Sequence, residues 1–274
     1  MRIKFATLTV AIFSLFILMQ GNKTAIAADI PPPAEDVYVP PETELSFDFV
    51  PLYLWLPGFS GETAVFGNTA KVDVTPIDII KNLGSFLDAL DGIYIGSGHV
   101  RMGDFGFLYD VTYLSIASSQ AIQGKAVNGA LDVGFDVTLG TMLGTYKVFD
   151  DADTTVDLMA GARVWSVNID MTLNIGPFGT AADDGATWWD PVVGFKARHF
   201  VSENTYLTGW GMVGGFGAGS DFMYDVFGGV GYEINDRFNA VGGIRATYAD
   251  YKHSGGFEWD MTMYGPVLGA AIKF

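Results

Sequence analysis

The chain has no cysteine. Disulfides, thiolate nucleophiles and Cys-ligated metals are thereby excluded. Charge is scarce: 17% of residues are Asp, Glu, Lys or Arg, against about 25% in an average soluble domain. Basic residues are the minority, 15 against 31 acidic, for a net charge of −16; nucleic acid is disfavoured as a partner. Only three histidines are available, His99, His199 and His253. Beyond the apolar run from Phe5 to Met19, no stretch approaches the ~20 apolar residues of a membrane helix. Glycine, at 35 residues, and aromatics, at 14%, are plentiful. A chain of positive mean hydropathy without spanning helices is what a transmembrane β-barrel looks like, because each strand shows lipid only at every second residue.

Residues 1–27 read as an export signal. Arg2 and Lys4 precede the apolar run, and Ala25-Ile26-Ala27 forms an A-x-A cleavage site before Ala28. An uncleaved anchor is the rival reading, but the run is shorter than a comfortable span. Residues 28–44 carry Pro31-Pro32-Pro33 and Pro40-Pro41 among acids and small residues. Such a run favours an extended periplasmic tether and builds no core.

From residue 45 onward, period-two alternation recurs to the end. It predicts an all-β, antiparallel up-and-down transmembrane barrel of about ten strands, an even number that puts both termini on one side. The strands lie near 45–55, 92–102, 105–116, 130–148, 155–171, 188–200, 205–218, 222–234, 237–248 and 259–274. Tight turns such as Gly103-Asp104 and Asn235-Asp236 alternate with longer links near 56–90, 117–129, 172–187 and 249–258; the link at Gly219-Ser220 is short where a long one is expected. Short turns at one end and long loops at the other are the outer-membrane pattern.

Inside and outside follow from the alternation. Leu131, Val133, Phe135, Val137 and Leu139, the set Val156, Leu158, Ala160, Ala162 and Val164, and the set Phe238, Ala240, Ile244 and Ala246 are expected to face lipid. The alternate polar sets then meet in the lumen as an ionic network: Arg101, Arg163, Lys196, Arg198 and Arg245 against Asp110, Asp132, Asp136, Asp157, Asp190, Asp225 and Glu233. A charge on the lipid face would cost about 2–4 kcal/mol at mid-membrane. Trp55, Tyr113, Trp188, Trp189 and Trp259 form an expected outer aromatic girdle, and Phe149, Phe200, Tyr206, Tyr232, Phe238 and Phe274 a periplasmic one.

The first loop is unlike the rest. Two β-rich runs flank Gly67-Asn68, a dipeptide suited to a hairpin. Thr75 then reads as an N-cap, with Pro76 at the first helical position and Asp78 three residues on. Ile77, Ile80, Leu83 and Leu87 would share an apolar face that plugs the barrel mouth, rests on the hairpin or lies on the membrane surface, the first being the preferred reading.

The runs Y-L-W-L-P-G-F-S-G (53–61), D-V-T-P-I-D-I-I (73–80), A-G-A-R-V-W-S (160–166), W-W-D-P-V-V-G (188–194), V-G-G-F-G-A-G-S-D (213–221) and the final G-P-V-L-G-A-A-I-K-F together resemble a family of uncharacterised Gram-negative outer-membrane β-barrel proteins. The resemblance carries no catalytic residue. The last strand, with Tyr264, Leu268, Ala270, Ile272 and Phe274 on one face, resembles the closing strand that outer-membrane assembly machinery reads. That implies outer-membrane lipid, lipopolysaccharide, the barrel-assembly machinery and periplasmic chaperones as partners.

Chemistry is sparse. His253, near Asp250 and Asp260, lacks the close Asp-x-His spacing of outer-membrane proteases. His253-Ser254 are adjacent, so they face opposite sides of a strand, unlike the His and Ser two apart in lipid A deacylases. His99 reads as a lumen residue. Asp183-Asp184 and the acids between Asp150 and Asp153 are acidic turns rather than a metal site. No cofactor and no enzymatic activity are expected. The expected role is a structural or surface barrel, or a narrow small-solute pore partly closed by residues 61–90; the alternatives are a binding or adhesion module of the outer loops and a hydrolase at the rim.

Overall fold

Thirteen strands and two short helices follow one another in a computed structural model that describes residues 45–50, 53–123, 128–253 and 255–273. The expected signal segment, the Pro-rich tether, Ser254 and Phe274 lie outside the described residues. In order the elements are β1 (Leu45–Val50), β2 (Tyr53–Trp55), β3 (Gly58–Val65), β4 (Asn68–Val74), α1 (Pro76–Lys81), α2 (Leu83–Ala89), β5 (Leu90–Met102), β6 (Phe105–Gln123), β7 (Asn128–Asp150), β8 (Thr154–Ile175), β9 (Phe178–Phe200), β10 (Thr205–Gly214), β11 (Phe222–Glu233), β12 (Phe238–Lys252) and β13 (Glu258–Lys273). From β5 to β13 each strand pairs antiparallel with the next, and β1 closes the ring by pairing with both β5 and β13. The result is a closed antiparallel barrel of ten strands. Its first strand is interrupted: β1, β2 and β3 lie end to end along β13, with Phe49 opposite Ile272, Leu54 opposite Leu268 and Phe59 opposite Met263.

Turn chemistry fixes the connections. Gly103, at φ 61°, opens the two-residue link between β5 and β6, where only glycine sits without strain. The β3–β4 turn is at Phe66-Gly67, with φ 53° and 73°, one residue earlier than the expected Gly67-Asn68; Asn68 instead pairs with Val65. The dipeptide signal located the hairpin, and the register with β13 set its turn.

Two expected loops are strand. The links near 117–129 and 172–187 mostly continue the β6–β7 and β8–β9 pairings. Strands β7, β8 and β9 are 23, 22 and 23 residues long, where about 9–11 span a membrane; β10, at 10 residues, is a bare span. The extensions escape a lipid-facing pattern because beyond the bilayer both faces of a strand can be polar.

That extension also reverses one face assignment. Val137 and Leu139 are buried inside the barrel, with Leu139 fully inaccessible, and Phe135 packs inward on Trp259. Asp132 and Asp136 share the outward side with Met142 and Tyr146, so neither belongs to the lumen. Asp136 pairs with Asn168 there, on the projecting ribbon. An outward carboxylate is cheap where water replaces lipid. Along β8 and β12 the expected lipid faces are as read: Leu158 and Ile244 are exposed while Asp157 and Arg245 are buried.

The aromatic girdles need correction too. Trp55, Trp188 and Trp259 are buried in the interior, whereas Trp189 points out, 51% exposed. At the turn end Phe149, Tyr232 and Phe238 are exposed but Tyr206 is buried.

Thr75 caps α1 with the full reciprocal box: Asp78 N–H donates to Thr75 Oγ1, and the Thr75 N–H and hydroxyl both donate to the Asp78 carboxylate. These bonds hold the Asp78 carboxyl below its usual range. The helix stops at Asn82, so Leu83 and Leu87 belong to α2. Ile79 is the buried residue of α1. Ile77, Ile80, Leu83 and Leu87 are exposed, so this face does not plug the mouth. The hairpin reaches across instead. Phe59 meets Phe135 edge-on at 6.0 Å, and the Phe66 N–H donates to Asp184 Oδ2 at 2.6 Å, although four strands separate β3 from β9 around the ring.

Candidate functional site

The interior is layered from the loop end to the turn end. Uppermost is an aromatic dome. Trp165 stacks on Trp188 at 5.7 Å, and Trp188 on Tyr251 at 4.0 Å, both pairs nearly parallel. Trp55, Trp259, Met261 and Met263 complete the same core. The indole nitrogens of Trp55, Trp165 and Trp259 are buried without a partner among the described residues, a cost accepted in a zone with few polar groups. Trp188 differs: its Nε1 donates to Ser220 Oγ at 2.8 Å. Ser220 in turn donates through its N–H and its hydroxyl to Asp190, at 2.6 and 2.8 Å. Asp190 thus anchors the short 215–221 link rather than pairing with a cation.

Below the dome lies a dry ionic layer. Asp225 accepts from Arg163 Nη2 at 2.7 Å and from Arg245 Nη2 at 2.7 Å, and Trp210 Nε1 donates to it at 2.8 Å. Arg245 also donates to Asp110 at 2.9 Å and to the Tyr53 hydroxyl at 2.6 Å, and Tyr53 donates onward to Asp110 at 2.7 Å. Arg163 donates to Thr141 and Thr247 as well. Two arginines and two aspartates balance, and each of the four charged groups has hydrogen-bond partners drawn from β2, β6, β7, β8, β10, β11 and β12. Such completeness is what makes buried ions tolerable. Arg245 lies 4.9 Å from the Trp55 ring and 5.5 Å from Trp210, and Arg163 lies 5.8 Å from Trp165. The dome therefore sits on the ionic layer through cation–π contacts.

The turn-end half is polar and less tightly filled. A cavity of about 260 Å3 is lined by Asp48, His99, Arg101, Lys147, Asp150, Asp157, Lys196 and Arg198 among others. Arg101 makes a bidentate pair with Asp157, at 2.7 and 2.8 Å. His99 Nε2 is 3.0 Å from Thr145 Oγ1. Glu233 pairs with Lys273. Arg198 lies 4.7 Å from the Tyr206 ring. Lys196 makes no hydrogen bond or ion pair among the described residues.

Of the residues assigned to a lumen network, Arg101, Asp110, Asp157, Arg163, Asp190, Lys196, Arg198, Asp225, Glu233 and Arg245 all lie on inward positions; eight of them fall into four separate groups rather than one network, and Lys196 and Arg198 stand outside these. Tyr53, Trp210, Thr141 and Thr247 were not anticipated among them. Tyr53 and Trp210 were legible as inward from alternation alone, but an aromatic gives no sign of which carboxylate it will serve. His253 has the Tyr251 hydroxyl as its neighbour, 3.3 Å from Nδ1, and no carboxylate hydrogen-bonds it among the described residues. Among those residues no three His, Asp or Glu side chains are grouped to hold a metal.

The outer membrane protease OmpT from Escherichia coli superposes with a TM-score of 0.55 at 11% identity, over 86% of this chain and 98% of that one. The fold is that of a bacterial outer-membrane β-barrel. The translocator domain of the autotransporter NalP from Neisseria meningitidis is also similar, at a TM-score of 0.40 and 12% identity, over 85% of this chain and 89% of that one. No family model matches the chain, and no curated protein matches it. At these identities the likeness concerns the barrel's architecture alone.

Proposed function

We propose that this barrel resides in the outer membrane as a non-enzymatic structural or surface protein whose bore is closed to solutes. The observation that supports closure is the salt-bridged quartet Asp110, Arg163, Asp225 and Arg245. Asp225 and Arg163 have side chains at 0% exposure and Arg245 at 1%, with the aromatic dome stacked above them. An ion passing this layer would have to separate both desolvated pairs, each costing several kcal/mol to break. This layer favours a closed bore over the narrow pore, and on this reading closure does not depend on residues 61–90. The exported chain would have lipid and lipopolysaccharide around its apolar belt, and the assembly machinery and periplasmic chaperones as transient partners. On this reading the exposed Ile77, Ile80, Leu83 and Leu87 rest against the outer membrane surface. Planar-bilayer recording of the refolded protein tests the proposal. Silence is expected both for the intact chain and after deletion of residues 61–90. Steady openings in either form would overturn it.

A further inference from the structure

Beneath the ionic layer a second cavity of about 160 Å3 penetrates the barrel. It shares Asp48, His99, Lys196 and Arg198 with the turn-end cavity, so the two adjoin at these residues. Its deep walls are apolar: Leu108, Leu143, Met159, Met212, Phe227 and Val241. An apolar recess below a closed layer adds nothing to closure, and filling it with one larger side chain would stabilise the barrel. Its size matches the ~150 Å3 cavities that accept a single benzene ring.

The entrance is cationic. Lys196 and Arg198, two apart on β9, both face inward. The nearby Arg101 and Lys147 are already engaged by Asp157 and Asp150. That leaves Lys196 and Arg198 against the single carboxylate Asp48 in the shared rim. One positive charge is therefore in surplus where the recess begins. Asn239, the second residue of β12 at its turn end, is 1% exposed, lines the recess, and has a buried Oδ1 with no hydrogen-bond partner among the described residues. An apolar recess with an unspent cation at its rim has the makings of a small-ligand site.

We propose that the turn-end recess binds a small amphipathic monoanion: a carboxylate held by Lys196 and Arg198, on an apolar body of about one ring seated against Met159, Met212 and Phe227. Arg198, fixed over Tyr206, presents its donors without losing much freedom on binding. The ligand enters from the turn end and stops at Arg245, so the site requires no passage through the barrel. Its existence is independent of whether the bore conducts.

Benzoate is the probe, read by saturation-transfer NMR and by tryptophan fluorescence of the refolded protein in detergent. Benzyl alcohol supplies the same body without the charge, and acetate the charge without the body. Benzoate should bind saturably, and each control at least about tenfold more weakly, the worth of one charge-assisted hydrogen bond or one buried ring. Lys196→Gln should weaken benzoate about tenfold and leave benzyl alcohol unchanged. Met212→Trp should abolish benzoate binding by filling the recess. Heat-modifiable gel mobility identifies variants that have folded; if Met212→Trp does not fold, Lys196→Gln with the two control ligands still decides. Absence of saturable benzoate binding, equal binding of benzyl alcohol, or benzoate affinity unmoved by Lys196→Gln would each overturn the proposal.

Discussion

The two halves of the bore are built from the same alternation of inward side chains and end up in opposite physical states. Towards the loop end, Trp165, Trp188, Tyr251 and Trp259 exclude water down to the Arg163–Asp225–Arg245 layer. Towards the turn end, Arg101, Asp157, Lys196 and Arg198 stand around a cavity. Charges occur in both lower layers, so charge alone does not decide which is dry. What differs is completeness: each group in the ionic layer meets a partner from another strand, and aromatic rings seal it from above. Around Lys196 neither condition holds, and water is the cheaper solvent.

The largest break in this contrast is Asp225→Ala. It strands the buried Arg163 guanidinium and leaves Arg245 with the Asp110 carboxylate alone, and unfolding in lipid should lose about 3–5 kcal/mol, measured by urea titration with tryptophan fluorescence. Next is Leu139→Ala, expected to cost about 2–5 kcal/mol as a core truncation. The matching change Asp136→Asn, on the outward face of the same strand, should stay within about 0.5 kcal/mol. Equal effects at the two positions would return Leu139 to the lipid side. A smaller loss, about 1 kcal/mol and shrinking with added salt, is expected for Asp157→Asn, because its pair with Arg101 borders water. The smallest effect is local. The folded-state pKa of Asp78 is depressed, so its contribution to α1 is complete above the ordinary carboxylate range and disappears as pH falls through the depressed value. Amide exchange at Ile79 should quicken over that window, with no change in global unfolding; exchange insensitive to pH after correction for intrinsic rates would sink this reading.

Much of the architecture was legible because lipid enforces a strict pattern. The outward sets on β8 and β12, the even ring and the tight turns all follow from the rule that polar groups avoid hydrocarbon. The capping box at Thr75 was legible for the same kind of reason, a short-range hydrogen-bond requirement. The pattern misled where lipid ends. On β7 the apolar residues between Leu131 and Leu139 look outward-facing by analogy with β8, yet the strand has left the membrane by then, and its apolar side turns to the dome. Trp55, Trp188 and Trp259 were misplaced likewise: a tryptophan near a strand end suits an interface girdle and a barrel core equally, and only inward or outward parity separates them. Asp110 and Asp225 were legible as inward carboxylates facing Arg245, but its Tyr53 partner was not, since a hydroxyl on a strand distant in sequence carries no charge signal.

The interrupted first strand bears on how the cylinder resists being pulled open. Around most of the ring, neighbouring strands are zipped along their whole length, but β13 meets β1 and β2 at only a few described positions, Phe49–Ile272 and Leu54–Leu268 among them. Arg245, on β12, reaches past β13 to the hydroxyl of Tyr53 on β2, so a side chain fastens from within the seam that the backbone holds loosely. Under mechanical load, the tear should start between β1 and β13 and halt at Tyr53.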